Sequence, residues 1–265
     1  STLYVTNLND RRLYSVPVAN PGAMTSVAIP NPGCVGGNYR PWGLKPYQGK
    51  VYVGVVCDAE FSANAADLMG YVYAMDPTTG VYSVATSNVL TYTRGYNGVQ
   101  KWAPWVASTT STGFGSPFIG DIEFDDTGAM IIGMGDRYPY QFTPAGYSAM
   151  NKGDLQRACK NASGTWDWQQ NGICGGVDGV GANLSNDFYD QGWDGENETG
   201  AGGLALLPGS GEVIYSVGSS QTGSHNGYTW WFNVANGAQK RGHVVYYSNG
   251  NTDFAKTAAL GDVEI

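Results

Sequence analysis

The sequence has no apolar run near the ~18 residues that would cross a membrane as a helix, so helical membrane insertion is not expected. It has no cluster of Lys and Arg either. Fourteen basic residues against 22 acidic ones leave a net charge of −8. The densest basic pieces are Asp10 to Arg12 and Gln239 to Arg241. Nucleic-acid binding requires a basic footprint to neutralise phosphates, and this one is missing. His225 and His243 are the only histidines, and no G-x-S-x-G elbow occurs, which leaves little room for a Ser-His-Asp or Cys-His arrangement. "GVDGVG" (Gly176 to Gly181) lacks the strand-then-helix context of a nucleotide loop and reads as a flexible glycine segment. No stretch reads as an amphipathic helix, and charged residues make up only 14%.

Glycine and aromatics are abundant: 39 Gly, 18 Tyr and 8 Trp in 265 residues. Glycine turns between β-branched and aromatic runs describe an all-β protein of many short strands. Four cysteines, Cys34, Cys57, Cys159 and Cys174, fit no CxxC metal pattern. Local pairs Cys34–Cys57 and Cys159–Cys174 are the preferred reading, each closing a glycine-rich loop; four buried free thiols in a cytosolic protein are the alternative. The start at Ser1 suggests a processed chain, and the pairs suggest an extracellular or cell-surface location. Sequons at Asn161, Asn183 and Asn197 would permit glycosylation in a eukaryotic secretory pathway.

Aligning the glycine turns exposes a repeat. "RPWGLKPYQGKVYVGVVC" (Arg40 to Cys57), "FIGDIEFDDTGAMIIGMGD" (Phe118 to Asp136) and "GGLALLPGSGEVIYSVG" (Gly202 to Gly218) each read as a largely apolar hairpin. A second, more polar hairpin follows each: "GYVYAMDPTTGVYSV", "GDLQRACKNASGTWDW" and "WWFNVANGAQKRGHVVYYS". Four strands per unit, the inner pair apolar, is the blade of a β-propeller. The N-terminal Leu3 to Val18 looks like an outer hairpin without an inner partner. The final "GDVEI" (Gly261 to Ile265) repeats the opening of "GDIEFDD" without an outer partner. The expectation is one propeller domain over residues 1–265, of four to six four-stranded blades, closed by pairing of its N- and C-terminal strands. An irregular β-sandwich is the alternative.

Those strings, with "GDLQRAC" and "LGDVEI", also resemble a propeller-like region of large secreted or surface proteins, mostly bacterial. In that family it precedes B-type repeat domains of the serine-aspartate-repeat adhesin kind. The resemblance implies a module of a longer extracellular protein, with another domain following Ile265 and no catalytic residues assigned. The chain departs from the pattern between Asp187 and Gly203, where a Glu and a His are expected.

Three constellations could carry a ligand. Asp187, Asp190, Asp194, Glu196 and Glu198 place five carboxylates in twelve residues among glycines, a hard-oxygen set suited to Ca²⁺ or else a solvated acidic loop. Asp121 with Glu123, and Asp262 with Glu264, share strand faces by period-two alternation and would lie opposite each other in a four-unit ring. A cation, Arg40, Arg137 or loop N–H groups would satisfy them. Tyr96, Trp102, Trp105 and Trp193, with Tyr92 and Tyr189, would offer flat faces to a sugar or protein partner, or else pack between blades. The leading expectation is a non-catalytic binding or assembly module, an adhesin or a subunit of a filament or sheath. It would contact polysaccharide, a protein surface or copies of itself. A calcium-dependent polysaccharide hydrolase or lyase, and a purely structural spacer, are the rivals.

Overall fold

A computed structural model describes residues 1–92, 101–105, 115–137, 153–169, 174, 188–189, 200–218, 227–246 and 262–264. It is all-β. The first sheet holds β1 (Thr2–Asn7), β2 (Arg12–Pro17) and β3 (Thr25–Ala28). The second holds β4 (Tyr39–Tyr47), β5 (Lys50–Cys57), β6 (Met69–Met75) and β7 (Tyr82–Val89). The third holds β8 (Pro117–Phe124), β9 (Met130–Asp136), β10 (Asp154–Lys160) and β11 (Trp166–Trp168). The fourth holds β12 (Gly200–Leu206), β13 (Glu212–Gly218), β14 (Gly227–Asn233) and β15 (Gln239–Tyr246). Among the described residues the strands within each sheet pair antiparallel with their neighbours in sequence, so each sheet is a meander, and the four sheets are the blades of a β-propeller. The sequence reading placed all three four-stranded units; β3 is an addition to the expected N-terminal hairpin.

Why the inner strands look continuously apolar is clear from what each face meets. Val51, Val53 and Val55 of β5 pack with Leu13, Ile29, Tyr73 and Met75, against the first sheet. Tyr52 and Val56, on the opposite face, pack with Ile119, Ile122 and Met130 of the third sheet. In the third sheet Ile132 joins that cluster, while Ile131 joins Leu204, Tyr215 and Phe232 of the fourth. A sheet buried on both faces has no polar side to show. Tyr47 and Phe124 stack across the second and third sheets with ring centroids 3.9 Å apart.

The innermost strands β4, β8 and β12 approach backbone to backbone. A methyl built on Gly43 would lie 2.6 Å from the Gly120 carbonyl oxygen, and one on Gly120 would lie 2.8 Å from that of Gly202. Backbone cannot rotate away as a side chain can. Gly120→Ala should therefore cost about 1–3 kcal/mol through overpacking, read as a lowered urea midpoint. Gly49, in the β4–β5 turn at φ +76°, has nothing within 4 Å of that position, so Gly49→Ala should cost only the left-handed penalty of about 1–2 kcal/mol. Equal tolerance of a larger residue, Val, at both sites would contradict the axial packing.

Both expected disulfides are present. Cys34–Cys57 has a Cα–Cα distance of 5.3 Å and Cys159–Cys174 one of 5.4 Å. The first ties the segment before β4 to the end of β5, and the second holds Cys174 against β10. Replacing Cys159 and Cys174 together by Ser should cost about 3 kcal/mol on the chain-entropy account. Thiol titration of the unreduced, denatured protein should find no free thiol.

Ring closure is where the described structure stops short of the expectation. β1 has a ladder partner only in β2, and residues 262–264 carry no strand pairing among the described residues. No apolar cluster joins the fourth sheet to the first among those residues either.

Candidate functional site: the axial carboxylates

Each innermost strand of the three four-stranded sheets carries a β-bulge at its middle. The register slips between Pro41 and Leu44, between Ile119 and Asp121, and between Gly200 and Leu204. A bulge releases backbone N–H groups from the ladder, and a buried donor must then find another acceptor. Asp121 is that acceptor. Its Oδ1 accepts from the Ile122 N–H at 2.7 Å, and its Oδ2 from the Leu204 N–H of the neighbouring blade at 3.1 Å. Two residues on, Glu123 Oε1 accepts from Lys45 Nζ of β4 at 2.5 Å. The two carboxylates thus bind the third blade to the fourth and to the second.

Both groups are held above the ordinary carboxylate range. Burial pushes Asp121 up to about 8, reinforced by the negative charge of Asp262 and then Glu123, and opposed by its two backbone N–H donors. Burial also raises Glu123, against the pull of Lys45, with Glu264 adding to the rise. The charges of Asp262 and Glu264 are thus near enough to Asp121 and Glu123 to be felt. The local geometry of the motif recurs too: the Val263 N–H donates to Asp262 Oδ1 at 2.9 Å, as Ile122 does to Asp121.

Several expected partners lie elsewhere. Arg40 does not reach the axial pair; it binds Asp58 at 2.5 Å and Glu60 at 2.7 Å. Arg137 lies over the Trp105 ring, 4.7 Å from its centroid, with Arg40 at 5.1 Å. Lys45 was missed because alternation along β4 put Leu44, not Lys45, in the column of Glu123. The bulge at Trp42 and Gly43, and the length of the lysine side chain, decide otherwise.

Trp102 and Trp105 are 1% and 4% exposed, so they pack between blades and present no face to a ligand. Tyr189 is likewise buried against Phe232. Tyr92 donates to Asp154 at 3.0 Å and accepts from Trp102 Nε1 at 3.1 Å. Tyr96 and Trp193 lie outside the described residues, as do Asp187, Asp190, Asp194, Glu196 and Glu198 of the acidic segment. Among the described residues no three His, Cys, Asp or Glu side chains gather as a metal site, Asp121 and Asp262 included. The Asn161 sequon sits at the β10–β11 turn, its Nδ2 donating to Asp167 Oδ1 at 2.9 Å; Asn183 and Asn197 fall outside.

Fold and site together define a disulfide-bonded β-propeller with a buried acidic axis. No protein-family model matches the chain. It is similar to Colossin-C of Dictyostelium discoideum, 27% identical over 288 residues that cover 98% of this chain and 28% of that protein. Colossin-A of the same organism is 26% identical over 254 residues, 85% of this chain and 2% of that protein. The chain thus spans under a third of the length of these curated relatives. Among solved structures, an ulvan lyase superposes with a TM-score of 0.48 at 10% identity, over 93% of this chain and 55% of the other. An α-L-arabinanase of Penicillium chrysogenum does so at 0.46 and 10%, over 91% and 60%. At such scores the likeness carries no functional argument.

Proposed function

We propose that this chain is an extracellular or cell-surface binding module of a longer protein, working by contact and assembly without chemistry. The observation that carries the reading is the pair of disulfides, since thiols of mesophilic cytosolic proteins are kept reduced. The modular part is supported by Colossin-C, matched over nearly all of this chain but a minor part of its own length. The non-catalytic part is supported by the axial acids. Asp121 uses both oxygens on backbone N–H groups and Glu123 is bound to Lys45, which makes them braces between blades. Polysaccharide, a protein surface or a second copy of the chain are the contacts this reading allows, as an adhesin or a filament or sheath subunit. Calcium on the acidic segment from Asp187 to Glu198 would belong to it, and a chelator should then lower the melting temperature.

A second reading rests on Asp121. A carboxyl near pH 8 is protonated at neutrality and has the form a general acid needs in a polysaccharide hydrolase or lyase. An array of neutral and acidic polysaccharides separates the two. Retention with no new reducing ends or unsaturated products supports the binding module. Turnover that is lost in Asp121→Asn would replace it with an enzyme.

A further inference from the structure

Among the described residues the two most exposed large apolar side chains are Phe61, at 73%, and Val35, at 66%. They come from the two loops that the Cys34–Cys57 disulfide ties together, one before β4 and one after β5. Apolar side chains exposed singly need no explanation, but a pair on one braced support does. The Phe61 and Ser62 N–H groups both donate to the Gly36 carbonyl at 2.8 Å, and the Ala63 N–H donates to the Ala59 carbonyl at 2.9 Å. Asp58, fully buried, accepts at Oδ1 from the Asn38 and Glu60 N–H groups at 2.7 and 3.0 Å. The Trp105 N–H donates to the Asp58 carbonyl at 2.9 Å.

The backbone that carries Phe61 is strained as well as braced. Ala59 and Ala63, two residues to either side, take left-handed φ values of +49° and +51°, a region that L residues with a Cβ seldom enter. Such residues persist where the surroundings over-determine them, and they concentrate at ligand-binding elements. The two loops also meet with no side chain between them. A methyl built on Gly36 would lie 2.4 Å from Ser62 Cβ, and one on Gly37 would lie 2.5 Å from the Ala59 nitrogen. A phenyl ring on a backbone fixed in advance has little ordering left to lose on binding, which is what makes an aromatic anchor effective.

The charges around the ring select the partner. The ionisable side chains of the two loops, Asp58, Glu60 and Asp67, are all acidic, and Arg40 is bound to the first two. Loops of that sign on a chain of net charge −8 are repelled by an anionic membrane or an acidic polysaccharide. A second copy has no Lys and Arg cluster to set against them. We propose that Phe61 and Val35 form a preformed docking knob that seats in an apolar pocket with a basic rim on a different protein. The knob rests on the binding-module reading above and gives that module a site and a class of partner.

An array of individually purified extracellular proteins from the source organism, probed with the whole chain, tests this. At least one should be bound, and Phe61→Ala should weaken that binding about thirtyfold or more, while Phe61→Leu keeps most of it. Raising the ionic strength from about 0.05 to about 0.5 M should weaken the parent too, because the rim contacts are screened. Both variants should melt with the parent, and the Phe61 and Ser62 amides of the unbound parent should resist hydrogen exchange. Free exchange of those amides overturns a preformed knob. Full binding by Phe61→Ala overturns the knob and leaves a binding module that uses another surface. So does Phe61-dependent retention of a neutral polysaccharide, or a parent dimer by sedimentation that Phe61→Ala dissociates, since a sugar or a second copy would then be the occupant. A parent that binds no arrayed protein, no polysaccharide and no copy of itself overturns the knob and the module together.

Discussion

Stability should fall as the pH rises from about 5 to about 7, at roughly 1.4 kcal/mol per pH unit where Asp121 dominates. Unfolded, Asp121 ionises near the reference value of about 3.9; folded, it does so at about 8. Between those limits the folded chain holds a proton that the unfolded chain has released. The contribution is whole below the unfolded value and is lost as the pH climbs to the folded one. Glu123, also raised, acts in the same direction. Asp76 and Glu212, lowered by hydrogen bonds from Lys50 and Arg241, act oppositely but are fully ionised above about pH 5 and leave the window flat. The informative variant is Asp262→Asn. Asp121→Asn would turn an amide N–H₂ toward a backbone N–H and confuse the result, whereas Asp262 is exposed. Removing its charge should lower the Asp121 midpoint, raising stability at pH 8 and leaving pH 5 unchanged. Urea titrations of both proteins at pH 5, 6, 7 and 8 supply the measurement. A stability that climbs over this range would rule out the buried, protonated Asp121.

Arg157→Met should destabilise the protein by about 3–5 kcal/mol, because it strands a buried charge. Arg157 projects from β10, and its Nη2 donates to Asp125 Oδ2 at 2.9 Å. Its Nη1 donates to the Val234 carbonyl just after β14, and the guanidinium lies 4.2 Å from the Phe188 ring centroid. One side chain thereby pins the third blade to the fourth. The Asp125 side chain is 1% exposed, so without Arg157 its charge has no route to water. Its other oxygen already serves the Thr127 and Ala129 N–H groups of the β8–β9 turn. Methionine keeps most of the stem volume, which isolates the electrostatic loss from the packing loss. The double variant with Asp125→Asn should recover part of the cost, since no net charge is left behind, and a double-mutant cycle measures the coupling. A single-variant cost below about 1 kcal/mol would show that water reaches Asp125 and that the pin is dispensable.

The three apolar hairpins, the turn glycines and the alternation in "KVYVGVVC" made four-stranded blades legible in the sequence, because strand period and turn chemistry are local. The cysteine pairs were legible for the same reason: each closes a short loop around one hairpin. Alternation pairs Asp121 with Glu123, and Asp262 with Glu264, along their own strands, and only a closed four-unit ring would set the two pairs opposite each other. What alternation could not supply was the bulge in each innermost strand. A bulge changes which backbone N–H groups lack partners, and so decides that Asp121 serves Leu204 of the next blade and that Lys45 answers Glu123. The fate of Trp102 and Trp105 was equally invisible, since a tryptophan on a connecting segment reads alike whether it meets solvent or a neighbouring sheet. Long-range electrostatics was the least legible of all. Lys45 with Glu123, and Arg157 with the Val234 carbonyl, are partners only because neighbouring sheets pack face to face, and their spacing along the chain carries no trace of it.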